Sequence, residues 1–162
     1  MPRKYTKVHD QLLVDVLTHF FKVGNFIIYP RVGELKKEFV ASLSPEEKRA
    51  ASPWRLRPDG FAWDEEKFYI IELIVRPNEW YKYAKLIEYE KAFKRDPEYV
   101  KYHHLKTEMW LVSPEINEIA ERLCKEYGVK FIKYAPSWVI PYLGSLAKKT
   151  QRPYGQSLEP IS

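Results

Sequence analysis

Three shortages in the sequence each close off a class of protein. Cysteine occurs once, at Cys124, which excludes an intrachain disulfide framework and any zinc cage built on cysteine. Amides are confined to Gln11, Asn25, Asn78, Asn117, Gln151 and Gln156, and so few thermolabile side chains among so many charges fit a thermophilic source. Long apolar runs are missing as well: Tyr69-Ile70-Ile71 meets Glu72 at once, far short of the roughly 18 residues a membrane span needs. The opening Met1-Pro2-Arg3-Lys4 leads into charge rather than an apolar stretch, so no signal peptide is expected. These absences predict an intracellular, cytoplasmic protein without membrane contact.

What is there suffices for a packed core. The chain has 162 residues, of which 45% are hydrophobic, and 27 Lys plus Arg against 22 Asp plus Glu leave a net charge of +5. That length predicts one domain over residues 1–146, followed by a basic, loosely held tail over 147–162 that carries Lys148, Lys149 and Arg152. The basic excess is modest and mixed with acids, so a nucleic-acid partner has to be argued from a site rather than from charge.

Periodicity supplies the elements. Leu12, Leu13, Val16, Leu17 and Phe20 form an apolar stripe from Val8 onward, predicting an amphipathic helix that stops at Gly24. The run 25–29, closed by Pro30, reads as a first strand. Ser44-Pro45-Glu46-Glu47 sets a cap, a first-turn proline and an N3 glutamate in order, predicting a short helix to Ala51. Residues 55–63 and 67–75 read as a hairpin around Asp64-Glu65-Glu66. A long helix is expected over 79–94, then a strand over 108–112. Ser113-Pro114-Glu115 is read as capping a helix with the stripe Ile116, Ile119, Ala120, Leu123 and Tyr127, with Gly128 as its C′ residue, and 129–134 closes as a strand. The predicted class is α/β, an α+β mixed sheet with helices on both faces, in the order α-β-β-β-α-β-α-β.

Two acids stand out within the hairpin. Asp59 lies in Arg57-Pro58-Asp59-Gly60 on one arm and Glu72 in Ile70-Ile71-Glu72-Leu73 on the other. A glutamate in the most hydrophobic strand is costly to bury unless paired or metal-bound. The hairpin brings Asp59 alongside it, and a divalent cation is the usual remedy for two carboxylates so close. The bland alternative is a turn at Asp59-Gly60 and a Glu72 paired with an arginine.

Pro58-Asp59, a gap of twelve residues and then Glu72 on a hydrophobic strand resemble the motif of the PD-(D/E)xK, or restriction-endonuclease-like, nucleases. The element order is similar from Val8 to Tyr134, and the nuclease-like domain of replication-relaxation proteins is the nearest resemblance. It implies that Asp59, Glu72 and the Leu73 carbonyl hold Mg²⁺ or Mn²⁺. Ile74 stands where the family carries its catalytic lysine. Lys85-Leu86-Ile87-Glu88-Tyr89 is similar to the family's (Q/K)-L-x-x-Y helix, which implies Lys85 as a substitute cation with Glu88 and Tyr89 beside it. Where the family often places an acid on the first helix, this chain has His9, expected behind the metal ligands or simply in the core.

Arg55, Arg57, Arg76, Lys82 and Trp80 surround the two acids and, with Lys148 and Lys149, are the expected nucleic-acid contacts, since cations neutralise phosphates and rings stack on unpaired bases. Trp80 reads equally well as core. The leading expectation is a metal-dependent DNA nuclease of a thermophilic replicon or virus, acting in the host cytoplasm if viral. The alternative, favoured by Ile74, is an inert nucleic-acid-binding replication protein with the same fold. A third is a subunit acting by protein contacts through its tyrosine-rich surface, and a homodimer stays open.

Overall fold

The first helix forms because its apolar side chains recur on one face. In a computed structural model, which describes residues 4–33, 41–47 and 55–144, helix α1 spans Lys4–Phe20. It lays Leu12, Leu13, Val16 and Leu17, all fully buried, on the sheet. It begins four residues before the expected start, and the chain turns at Gly24, whose φ of +92° suits a residue without a Cβ.

Strand β1 is only Phe26–Ile28, shorter than the run 25–29, because Tyr29 leaves the extended region with a φ of 50°. Ser44 caps its helix as its spacing predicts: the Glu47 N–H donates to Ser44 Oγ at 3.2 Å and the Ser44 N–H to Glu47 Oε1 at 3.4 Å. The end of that helix lies outside the described residues, as does the tail beyond 144. Strands β2 (Gly60–Trp63) and β3 (Lys67–Leu73) form the hairpin, antiparallel with Gly60 opposite Ile71. Asp64 makes the turn, its Oδ1 accepting from the N–H groups of Glu66 at 2.8 Å and Lys67 at 2.7 Å.

The expected helix over 79–94 divides in two. A 3₁₀ turn, Pro77–Tyr81, precedes helix α2 (Lys82–Arg95), with a kink at Glu79. Glu79 causes the break by folding back: its Oε1 accepts from the N–H groups of Val75 at 3.1 Å and Arg76 at 2.9 Å. Asp96 ends α2 and caps the next 3₁₀ segment, Pro97–Tyr102. Strand β4 (Lys106–Ser113) returns parallel to β3, and β5 (Lys130–Lys133) parallel to β4. Parallel neighbours require a crossover, which α2 and helix α3 (Glu118–Tyr127) supply.

Helix α3 corrects two expectations. Asn117 caps it, not Ser113, because the Asn117 carboxamide oxygen accepts from the Ala120 N–H at 3.1 Å, whereas the Ser113 hydroxyl is engaged with the backbone of Glu115. Its buried residues are Ala120 and Cys124, while Ile116, Ile119 and Tyr127 stay exposed. Gly128 does close it, at a φ of 74°.

Among the described residues the sheet is therefore five-stranded and mixed, in the spatial order β1-β2-β3-β4-β5, with helices on both faces as the sequence predicts. The α1 side buries Ala62, Ile71, Leu73, Val75 and Val112, and the α2 and α3 side buries Phe61, Phe68, Ile70, Ile74, Leu86, Phe93 and Leu111. Among the described residues no helix is long and apolar enough to cross a membrane.

Candidate active site

Strand alternation decides where Glu72 goes. Phe68, Ile70 and Ile74 point toward α2, so Glu72 faces the same way, into what is otherwise core. Gly60 pairs with Ile71, which sets Asp59 against Glu72 at the open end of the hairpin. Asp59 and Glu72 are 7% and 4% exposed. Both line one cavity of about 380 Å³ with His9, Asp10, Tyr29, Arg57, Lys82, Lys85 and Tyr89.

Asp59 is held at every polar group but one. Its N–H donates to Glu72 Oε2 at 3.3 Å and its carbonyl accepts from the Tyr29 N–H at 2.9 Å. Its Oδ2 accepts from the Leu73 N–H at 2.8 Å and lies 3.1 Å from His9 Nε2. Burial pushes this carboxyl up, but the His9 hydrogen bond and charge, the Lys82 ammonium and the Leu73 N–H together hold it below the usual carboxylate range. Glu72 goes the other way. Its burial, and then the charge of Asp59, raise it above the usual range against the opposing pull of Lys82 and Lys85.

Lys82 is the cation inside the site. Its Nζ donates to the Leu73 carbonyl at 2.9 Å and pairs with Glu79 Oε2 at 2.9 Å, both side chains being nearly buried. The sequence assigned Lys82 to the nucleic-acid surface and Leu73 O to the metal; the structure joins them to each other. Lys85 sits at the rim, exposed, with Nζ 5.9 Å from the centre of the Tyr81 ring. Tyr89 is buried beside the acids, and burial followed by their charges raises its hydroxyl. Glu88 turns outward to Lys91 and does not join the site.

The other expected contacts divide. Arg57 lies at the mouth, its guanidinium carbon 4.3 Å from the centre of the Tyr29 ring. Arg55 is drawn elsewhere, donating to Gly33 O, Arg31 O, Asp96 and Glu98, so it braces the fold. Arg76 lines a separate cavity with Ser113, Pro114 and Asn117. Trp80 is exposed, packs edge-on to Tyr81 and does not line the acids' cavity. Lys148 and Lys149 lie outside the described residues.

Sequence reasoning missed Tyr29, Asp10 and Glu79 as parts of the site. Only Tyr29-Pro30 carried a local sign, the end of a strand; the other two are ordinary charged helix or turn residues until the fold brings them together. No known protein family matches this sequence, and no curated protein or solved structure matches it either.

The donor set suits a hard divalent cation in a limited way. Among the described residues no group of three or more His, Cys, Asp or Glu side chains is arranged to hold a metal, and Lys82 occupies the Leu73 carbonyl. Two carboxylates remain, facing a roomy polar cavity, and burial followed by the charge of Asp59 makes the ionised form of Glu72 costly there. That matches Mg²⁺ or Mn²⁺, which keep several waters and bind through about one or two carboxylates plus substrate phosphates.

Proposed function

We propose that this protein is a metal-dependent nuclease that hydrolyses phosphodiester bonds in DNA. One observation carries the reading: two buried carboxylates from adjacent strands share a cavity whose rim and wall are cationic, with Arg57, Lys82 and Lys85. Asp59, kept ionised by its donors, and Glu72 would hold the cation. When bound, it supplies a Lewis acid for the phosphoryl oxygen and lowers the pKa of a coordinated water.

The chain's own groups do the rest. Arg57 and Lys85, at the mouth, neutralise the phosphates flanking the scissile bond, so the backbone can approach two acids. Lys82 is fixed too deeply to meet substrate and instead offsets the charge of the acid pair. The strand position where the resembled motif carries its lysine is held by Ile74, 2% exposed within the core, so Lys85, on the helix after the hairpin, is assigned the stabilisation of developing charge on the phosphate.

Linear duplex DNA incubated with the protein in Mg²⁺ or Mn²⁺ is expected to be cut, and EDTA to stop it. Glu72→Gln should abolish that cleavage while a mobility shift persists; undiminished cutting by the variant would place the activity elsewhere. A second reading is favoured by Ile74 in the core and by Lys82 on the Leu73 carbonyl. On that reading the protein binds DNA without cutting it, and a salt-sensitive shift with no product in either metal selects it.

A further inference from the structure

Tyr29 stands out for its backbone. It is the described non-glycine residue with positive φ, at 50°, a conformation that a bulky side chain adopts only when its surroundings enforce it. A glycine there would relax the chain. What the tyrosine adds is a hydroxyl that lies 2.9 Å from His9 Nδ1 and donates to Asp10 Oδ1. Its ring lies nearly parallel to the His9 ring, at 13° and 6.1 Å, with the Arg57 guanidinium over it.

These contacts close a ring of three residues. The Tyr29 N–H holds the Asp59 carbonyl at 2.9 Å, Asp59 Oδ2 meets His9 Nε2 at 3.1 Å, and His9 Nδ1 returns to the Tyr29 hydroxyl. The members come from α1, the turn after β1 and the start of β2, so no local preference assembles them. His9 Nε2 and the Leu73 N–H both engage Oδ2, which fixes the carboxylate's rotation and leaves the other oxygen, Oδ1, out of both contacts on a residue that lines the cavity.

We propose that His9 and Tyr29 are positioning residues that hold the Asp59 carboxylate in the orientation for a divalent cation, with Asp10 anchoring Tyr29. This rests on the metal-dependent reading of the site. Groups that orient a ligating side chain typically change metal affinity by about 10–100-fold when removed.

Calorimetric titration of Mn²⁺ into the parent, His9→Ala, His9→Gln and Tyr29→Phe tests it, with circular dichroism and thermal melting in EDTA as the control for folding. His9→Ala should bind Mn²⁺ about 10–100-fold more weakly than the parent. Tyr29→Phe should lose less, and His9→Gln, whose amide still donates to Asp59, should recover part of the loss. A histidine that served only the fold would lower the melting temperature in EDTA without this ranking. Should His9→Ala not fold, Tyr29→Phe decides alone. Parent-like Mn²⁺ affinity in the folded variants overturns the positioning role and leaves the metal site standing. A parent that takes up no Mn²⁺ removes the metal reading and, with it, the clamp.

Discussion

Glu72 and Asp59 are equally buried acids that the fold treats in opposite ways. Asp59 has the His9 ring, the Lys82 ammonium and the Leu73 N–H on its carboxylate, enough to outweigh burial; for Glu72, burial and the repulsion of Asp59 outweigh Lys82, Lys85 and one backbone N–H. The two therefore link to stability with opposite signs. Asp59, lowered in the folded state, adds stability above the ordinary aspartate value and loses it only as pH falls through its folded value. Glu72, raised in the folded state, is most favourable below the ordinary glutamate value and loses stability as pH rises toward its folded value. In EDTA the melting temperature should therefore fall as pH is raised from about 5 to about 9, and Glu72→Gln should remove that decline. Thermal melts across the range check it; a decline of equal slope in the variant would put its origin in another group.

At the scale of elements, the first turn of α2 places two lysines in different roles. Lys82, on the helix's first residue, faces inward to Glu79 and the Leu73 carbonyl; Lys85, three residues on, stands at the rim. Removing one partner of a buried pair leaves the other uncompensated, so Lys82→Ala should lose about 3–5 kcal/mol in urea denaturation. Lys85→Ala, on the surface, should change stability by no more than about 0.5 kcal/mol. If Lys85 supplies the charge that Ile74 cannot, its removal should lower the cleavage rate by about 10²–10³. Cleavage at the parent's rate would give that role to Arg57. Glu79 is the reason for the division. By breaking the helix one turn early it sets Lys82 at a start rather than in the middle, and so turns it toward the strand ends.

At the scale of the molecule, the two ends of the hairpin carry different sets of charges. The turn carries Asp64, Glu65 and Glu66, and the open end carries the cavity with Arg57 and Lys85 at its mouth. On the proposed reading, Arg57 and Lys85 are the cations that a DNA backbone meets at the open end. Arg57→Ala should lower the slope of log affinity against log salt by about 0.9 for duplex DNA, one phosphate's share, and Glu65→Gln should leave it unchanged. Anisotropy titrations over a range of salt measure both. An Arg57 variant with the parent's slope would place the phosphate contacts on another face.

Much of the fold was legible because it depends on pattern. The α1 stripe, the alternation of β3, the Ser44 capping box and Gly128 after α3 each follow from spacing along the chain, and the mixed sheet follows from their order. The acid pair was legible for the same reason, since one hairpin in register sets Asp59 against Glu72. Boundaries were not. Asn117 replaced Ser113 as a cap because the Ser113 hydroxyl found a nearer backbone partner, and α2 was cut short by a glutamate whose targets lie four residues back. The sequence by itself determined the elements and the pairing of the two acids across one hairpin. Which other side chains stand beside those acids was decided in three dimensions. Lys82 went inward, Arg55 went to Asp96 and Glu98, and Tyr29 bent into a left-handed turn to meet His9. A cation's role depends on which acceptor it reaches first, and that distance exists only once helix, strand and turn have packed together.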